Sequence, residues 1–413
     1  MNSKFKMFYT WDPSDPPRYH HKVVDGEYFE WLFSMLAGTG VTFLYRCNLA
    51  GRAYYPSRIM APFDHSCAER SNPNPEAALW HRVADMLDVC DPFAEAVRAA
   101  RWHGVPIWAW FNWNEFQCIR RDWVYLVDPV WYEQPRKYWC TRDGSRFYHG
   151  VPAFGDEDVR RRLLGLAQEA ASYGVDGLYL STRSHSWQPC FDTPQCNDNL
   201  EPFGFNDCVV EAYRKRHGVD IRYEEYDEKK WLRIKGEQFS TLIHRVGSLL
   251  HRQNMQFIVG LVPDRYTLMG MKDTRPSIKQ LRLYKDWETW VKEKNVDGIC
   301  AEQTCPHEHK LTGADIAVFQ KTLPTGFPVF TWADTARFVP HGGGPFSLAN
   351  WDRNSVEEVM KQIEMAEKSG AAGIALHSLY HFTAADTQGE SIGGYGILPR
   401  REYLEALKKR KIG

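Results

Sequence analysis

Four carboxylates carry the chemistry that this sequence suggests: Asp12, Asp264, Glu302 and Asp334. Each stands near the C-terminal end of a short apolar run, on the phase of that run that alternation turns inward. Two carboxyl groups facing one bond are what cleavage of a glycosidic linkage requires. One, protonated, gives its proton to the leaving oxygen; the other attacks or activates water. Their separation sets the stereochemistry, about 5–5.5 Å for retention and ~6.5–9.5 Å for inversion. Asp264 and Glu302 end consecutive runs, and adjacent strands lie ~4.8 Å apart, so either geometry is open. These two are the expected catalytic pair, with Asp334 as the substitute for either. Neighbouring carboxylates also hold their protons unequally, which prepares one as an acid at neutral pH.

Other residues gather on the same phase. Asp12, Arg46, Trp110, Asn112, Arg183, Trp332 and His377 are expected at the mouth, with Trp113, His185, Glu201 and Arg265 on the connections beside it, all as substrate contacts. Glu201 is also a candidate acid. Arg46, Arg183 and Arg265 bear forks suited to carboxylate or sulfate. They imply either an anionic sugar or simple neutralisation of the rim carboxylates. Other chemistries find less support. His307 and His309 lie two residues apart with no clear third ligand, so no metal is expected. GxGxxG, GxxxxGK[ST] and GxSxG are absent, which leaves no sign of a nucleotide cofactor or a serine nucleophile.

The elements that must position these groups alternate between two periods. Strand-like runs are Lys6–Asp12, Val41–Asn48, Val105–Asn112, Val175–Arg183, Gln256–Arg265, Val296–Thr304, Phe327–Asp334 and Ala371–Leu379. Helical patterns fall between them at Glu27–Leu36, Pro92–Trp102, Asp156–Tyr173, Asp227–Arg252, Ile278–Asn295 and Ser355–Ser369, and a last one spans Arg401–Arg410. Ser355 and Glu358 form a capping box. Eight strand–helix units predict a closed (β/α)₈ barrel in preference to an open doubly wound sheet, with 1–413 as one catalytic domain. A weak echo supports the repeat: Gly174-Val175-Asp176-Gly177, Asn295-Val296-Asp297-Gly298 and Gly370-Ala371-Ala372-Gly373 each open a strand. Long connections follow the second, third and fourth strands (Leu49–Asp91, Trp113–Gly155, Ser184–Tyr226). They are expected on the C-terminal face, as walls of a cleft.

Composition narrows the partners. The chain has 413 residues and a formal net charge of −1, so it carries no basic field for nucleic acid. No apolar run is long enough to span a membrane. Met1–Thr10 lacks the apolar stretch of a signal peptide, which makes a cytoplasmic location the default expectation, and a secreted or periplasmic one the alternative if a signal has been removed. Aromatics reach 14%, with 16 Trp. The indole N–H needs a partner when buried, so many of these rings are expected partly exposed, as platforms for sugar rings. Of 10 Cys, Cys190 and Cys196 share a loop and could pair, while Cys47, Cys208 and Cys300 read as buried thiols.

The stretch Asp158-Val159-Arg160, its helix, and Gly174-Val175-Asp176-Gly177-Leu178-Tyr179-Leu180 resemble the middle of the glycosyl hydrolase-like family-10 barrels. Gly204-Phe205-Asn206-Asp207 and Tyr213-Arg214-Lys215-Arg216-His217-Gly218-Val219-Asp220 are similar to a GFN…RYGVD stretch of that group. The resemblance covers about Phe154 to Leu250 and implies a barrel glycosidase acting on a carbohydrate. It departs at the fourth strand, which ends Leu180-Ser181-Thr182-Arg183 where related strands end in an acid. Two readings therefore compete: a hydrolase of a poly- or oligosaccharide, and a barrel that binds glycan without cleaving it. A lyase or isomerase on a small sugar is the third, and would prefer a metal or phosphate site.

Overall fold

The structure, a computed structural model, describes residues 5–14, 16–19, 23–71, 77–114, 116, 127–182, 202–266, 282–302, 313–334, 336–338, 351–353, 355–377, 383–385, 397–399 and 401–410. Eight strands form the barrel: β1 (Lys6–Trp11), β2 (Val41–Arg46), β3 (Ile107–Asn112), β4 (Gly177–Ser181), β5 (Gln256–Leu261), β6 (Gly298–Ala301), β7 (Val329–Asp334) and β8 (Gly373–His377). Each pairs in parallel with its sequence neighbours, and β8 closes on β1, Lys6 opposite Gly373. The closed (β/α)₈ barrel expected from the sequence is the fold.

Alternation sorts the strand residues into two cores. Phe8, Leu44, Trp108, Trp110, Tyr179, Ile258, Cys300, Phe330, Trp332 and Ala375 fill the barrel. Leu178, Leu180, Val259, Leu261, Ile299, Val329, Ile374 and Leu376 face outward into the layer under the helices. Big rings inside the barrel are accommodated by glycines on neighbouring strands. A Cβ on Gly177 would fall 2.5 Å from the Trp108 ring, and one on Gly298 would fall 2.6 Å from Phe330.

The helices around the barrel are α1 (Gly26–Leu36), α2 (Ala77–Val89), α3 (Pro92–Trp102), α4 (Glu157–Ser172), α5 (Asp207–His217), α6 (Glu228–His251), α7 (Trp287–Lys292), α8 (Gly313–Thr322), α9 (Val356–Lys368) and α10 (Arg401–Lys409). Their starts follow capping chemistry. Asp91, Asp156 and Asp227 each accept two backbone N–H groups, and Ser355 with Glu358 forms the capping box. The repeated Val-Asp-Gly has a structural meaning. Asp176 accepts the N–H of Ile107 at 2.8 Å and Asp297 accepts that of Phe257 at 2.7 Å. Each aspartate thus ties the start of its own strand to the start of the strand before it.

Three expectations need correction. Ile278–Asn295 is not one helix. Residues 283–285 run as an extended strap whose N–H groups reach Tyr266, Leu232 and Arg265 carbonyls at 3.1, 3.2 and 2.8 Å, and the helix starts only at Trp287. Those three backbone bonds outweigh the apolar periodicity. The tryptophans are less exposed than expected. Trp11, Trp80, Trp110, Trp113, Trp231, Trp287, Trp290 and Trp332 are fully buried, and several of these indoles find a partner inside. Trp231 donates to Gly204 O, Trp287 to Thr322 and Trp290 to Ser240. Among the described residues Trp102 is 80% exposed and Trp31 is half-buried. Finally, Cys208 is half-buried, with its thiol pushed up to about 12 by burial, whereas Cys47 and Cys300 are buried as expected. Cys190 and Cys196 lie outside the described residues.

The long connections carry structure of their own. The first contains the ribbon Asn48–Leu49/Arg52–Ala53, the helix His65–Ser71 and α2. The second contains the hairpin Tyr138–Cys140/Phe147–Pro152. The third contains α5, which packs with α6 and Cys140 through Phe205, Val209, Tyr213, Ile221 and Trp231. No helix among the described residues is long and apolar enough to cross a membrane.

The strap presses so closely on α6 that a Cβ on Gly236 would meet the Tyr284 carbonyl oxygen at 2.0 Å. Gly236→Ala is expected to destabilise the fold by roughly 1–3 kcal/mol, as overpacking does. Ser355→Ala, which removes only the cap, should cost about 1 kcal/mol. Urea midpoints of the two variants against the parent check the ranking; a midpoint for Gly236→Ala at or above that of Ser355→Ala would contradict it.

Candidate active site

The site is built from Glu302 outward. Its backbone N–H continues the β5–β6 ladder to Leu261 O at 3.0 Å, one residue past the end of β6. Its side chain is 2% exposed, and Oε1 accepts the Tyr179 hydroxyl of β4 at 2.9 Å. To reach Tyr179, the carboxylate must cross β5, which lies between β4 and β6. Gly260 makes this possible. A Cβ there would lie 2.4 Å from the Tyr179 hydroxyl and 2.5 Å from Glu302 Cδ. Burial, with the nearby Cys300 and Glu302, holds the Tyr179 phenol well above its ordinary range, so it remains a donor.

Lys285 approaches from the strap. It is fully buried, and its Nζ donates to Val262 O at 3.3 Å, the carbonyl next to the one that anchors Glu302. Burial pulls its ammonium down to about 7, while the charges of Asp264 and Glu302 oppose that fall. Asp264 itself is exposed just beyond β5, where Oδ1 accepts the Tyr266 N–H at 2.7 Å. The charges of both carboxylates of the expected pair thus act on the same buried lysine. Neither Lys285 nor Tyr179 figured among the residues expected at the site. Tyr179 lay on the inward phase; Lys285 was hidden in a stretch that reads as helix.

The other side of the mouth is made by β1, β2, β3, β7 and β8. Asp12 and Arg46 form a buried ion pair, Nη1 to Oδ2 2.5 Å. Burial would raise the Asp12 carboxyl, but Arg46 and the N–H and hydroxyl of Ser14 hold it below its ordinary value. Arg46 also lies over Trp110, 5.1 Å from its centroid, and donates to Asn48 O. Asn48 and Asn112 exchange bonds at 3.0 Å, which ties the ends of β2 and β3 together. Trp332 contacts Trp110 edge-on at 5.6 Å, Tyr179 at 5.8 Å and His377 at 5.0 Å. His377 meets Thr10 Oγ1 at 3.0 Å. Trp110, Trp332 and Tyr179 thus form an aromatic floor that links the Glu302 side to the Asp12–Arg46 side.

Two expected contacts sit elsewhere. Trp113 is buried in the outer core, 5.9 Å from Phe111. Arg265 points to α7, where Glu288 and Tyr284 accept its N–H groups at 2.9 Å and Trp287 lies 4.5 Å beneath it. Asp334 ends β7 opposite His377 in register. Arg183, His185, Glu201, His307 and His309 lie outside the described residues. Among the described residues no group of three His, Cys, Asp or Glu side chains is placed to hold a metal ion.

Neither a known family model nor a curated protein sequence matches the chain. Solved structures do match its fold. The catalytic domain of a β-amylase from Paenibacillus polymyxa superposes with a TM-score of 0.53 at 13% identity, over 98% of this chain and 99% of that one. The PgaB (BpsB) glycoside hydrolase domain from Bordetella bronchiseptica gives 0.53 at 12% identity, over 91% of this chain and 95% of that one. At these identities the likeness shows the barrel fold alone, and does not single out the family-10-like group.

Proposed function

We propose that the chain is a glycoside hydrolase, a single catalytic barrel that cleaves O-glycosidic bonds of a poly- or oligosaccharide at the C-terminal mouth. The observation that carries this reading is the buried Glu302 carboxylate, held by Tyr179 through the gap at Gly260 beside the Lys285 ammonium. A carboxylate is costly to bury unless its partners are built for it, and such investment at the C-terminal end of a barrel strand reads as catalysis. The barrel likeness to the β-amylase and PgaB domains agrees with it. In the reaction, one carboxyl of the Asp264–Glu302 pair protonates the leaving glycosidic oxygen. In the inverting course the other takes one proton from the attacking water, whose O–H stays on the sugar, and that proton returns through solvent to the acid; in the retaining course the other attacks the anomeric carbon, and water then cleaves the glycosyl ester, its O–H going to the sugar and its other proton to the former acid. Asp334 is the reserve member of the pair. The floor of Trp110 and Trp332, with Asn112 and His377, lies beneath the bound sugar, and no cofactor is required.

The second reading, a barrel that binds glycan without cleaving it, rests on β4. That strand ends in buried Ser181 and Thr182, with the Thr182 hydroxyl committed to Gly260 O, and so supplies no acid. On charge, the two described arginines of the expected set favour a neutral glycan. Arg46 is engaged by Asp12 and Arg265 by Glu288, so neither guanidinium fork is set aside for a sulfate or uronate.

Oligosaccharide release from a polysaccharide panel is the deciding measurement. Glu302→Gln is expected to lower release roughly 10²–10⁴-fold while calorimetric binding persists, and Asp264→Asn should behave alike. Release that survives Glu302→Gln moves the chemistry to Asp334 or Glu201. Binding without release from any glycan, in the parent as well, selects the second reading. Gly260→Ala should displace the Tyr179–Glu302 contact and lower kcat by about 10²-fold with the barrel still folded by circular dichroism; unchanged kcat would mean that the contact is incidental. Neutral and sulfated forms of one oligosaccharide should bind equally at low and high salt, and tighter, salt-sensitive binding of the sulfated form would refute the neutral preference.

A further inference from the structure

Lys285 and Glu302 are anchored to consecutive carbonyls at the end of β5. The Glu302 N–H holds Leu261 O at 3.0 Å, and the Lys285 ammonium holds Val262 O at 3.3 Å. Both side chains are buried, Lys285 entirely. The lysine cannot swing out freely, because the strap that bears it is bonded to Arg265, Tyr266 and Leu232 and is backed by Gly236 of α6. One donor, the Tyr179 hydroxyl of β4, reaches Oε1, and the Lys285 ammonium stands one carbonyl along β5, at Val262 O, where the charge of Glu302 acts on it. Both favour the ionised form of a carboxyl group.

We propose that Lys285 is a positioning residue that keeps the Glu302 carboxylate ionised, so that Glu302 enters the reaction as nucleophile or base and the proton comes from another carboxyl group. This rests on the hydrolase reading for its role, but not for its electrostatics. Around Glu302, the described titratable groups are Tyr179 on β4, Asp264 beyond β5, Lys285 on the strap and Cys300 on β6. Tyr179 and Cys300 are both pushed upward by burial and stay neutral through the range where carboxyl groups titrate. Lys285 is the cation of this group. Its ammonium titrates near pH 7 and is thus charged throughout the acidic range in which a glutamate takes up its proton.

The test is a carboxyl titration by difference infrared spectroscopy, with the Glu302 band assigned through Glu302→Gln. It is run on the parent, Lys285→Met and Lys285→Arg, each first shown to be folded by thermal melting. The Glu302 midpoint should rise by about one pH unit, tenfold in proton affinity, in Lys285→Met, and return toward the parent in Lys285→Arg. The acidic limb of the kcat/KM profile should move the same way. Should Lys285→Met not fold, the midpoint in Lys285→Arg is compared with that in Tyr179→Phe. A parent-like midpoint for Lys285→Arg and a raised one for Tyr179→Phe support the proposal, and a Lys285→Arg midpoint raised as far as that of Tyr179→Phe overturns it. In a folded Lys285→Met, a midpoint that does not rise overturns it, even if activity is lost, because Lys285 would then be merely structural. A risen midpoint in a protein that releases no sugar from any glycan would leave this proposal standing and defeat the hydrolase reading.

Discussion

A carboxylate buried in the end of a closed barrel is the constraint around which this structure is arranged. Glu302 is almost fully removed from water, and an unpaired charge there would cost more than a fold of this kind can spare. The sequence answers with three features on three elements. Gly260 removes the side chain that would stand between β4 and β6. Tyr179 supplies the hydroxyl that reaches through the opening, and the strap delivers Lys285. None of these features works alone. Without the glycine, the hydroxyl and the carboxylate could not meet; without the strap, Glu302 would lose the Lys285 charge.

The opposite side of the mouth solves its electrostatics differently. Asp12 and Arg46 neutralise each other at short range, and Arg46 is further held against the Trp110 face. A buried ion pair of this kind adds little stability, since desolvation offsets most of the attraction. What it does is fix geometry: β1 is locked to β2 at the rim, and the Asn48–Asn112 exchange locks β2 to β3. The rim therefore has a self-neutralised side, rigid and closed, and a side where the charges of two carboxylates act on one lysine.

Strand phase was legible because the side-chain period is two and the barrel has only two places to put a residue. Each of the eight strands gives the inner cluster a residue of its inward phase, from Phe8 on β1 to Ala375 on β8. Helix ends were legible wherever an Asp or Ser caps them, and α3 begins and ends as its sequence indicates. Indole exposure was not legible. Whether a tryptophan N–H finds a partner depends on residues far away in sequence, as Ser240 does for Trp290 and Thr322 for Trp287. The elements within the long connections, α5 and the 138–152 hairpin, were missed for a related reason: their apolar residues pack on α6 in a separate cluster that the barrel period does not describe.

The strap shows why local periodicity misleads at a functional site. Tyr284, Trp287 and Val291 are spaced as one helical face, yet Tyr284 lies outside the helix and its backbone bonds across to Leu232. Were residues 283–285 helical, their N–H groups would turn to carbonyls within their own segment and release Tyr266, Leu232 and Arg265. Lys285 would lose the backbone bond that sets its depth. The contrast with Lys235 makes the point about partners. That lysine is equally buried, but it lies between the Trp139 and Trp231 rings and donates to Phe203 O. Burial drives its ammonium well below its ordinary range with little opposing charge. Lys235 therefore braces the packing of the third connection. Lys285, set near the charges of Asp264 and Glu302, holds its proton to about 7, and that difference in surroundings, with burial equal, is what sets the two lysines apart.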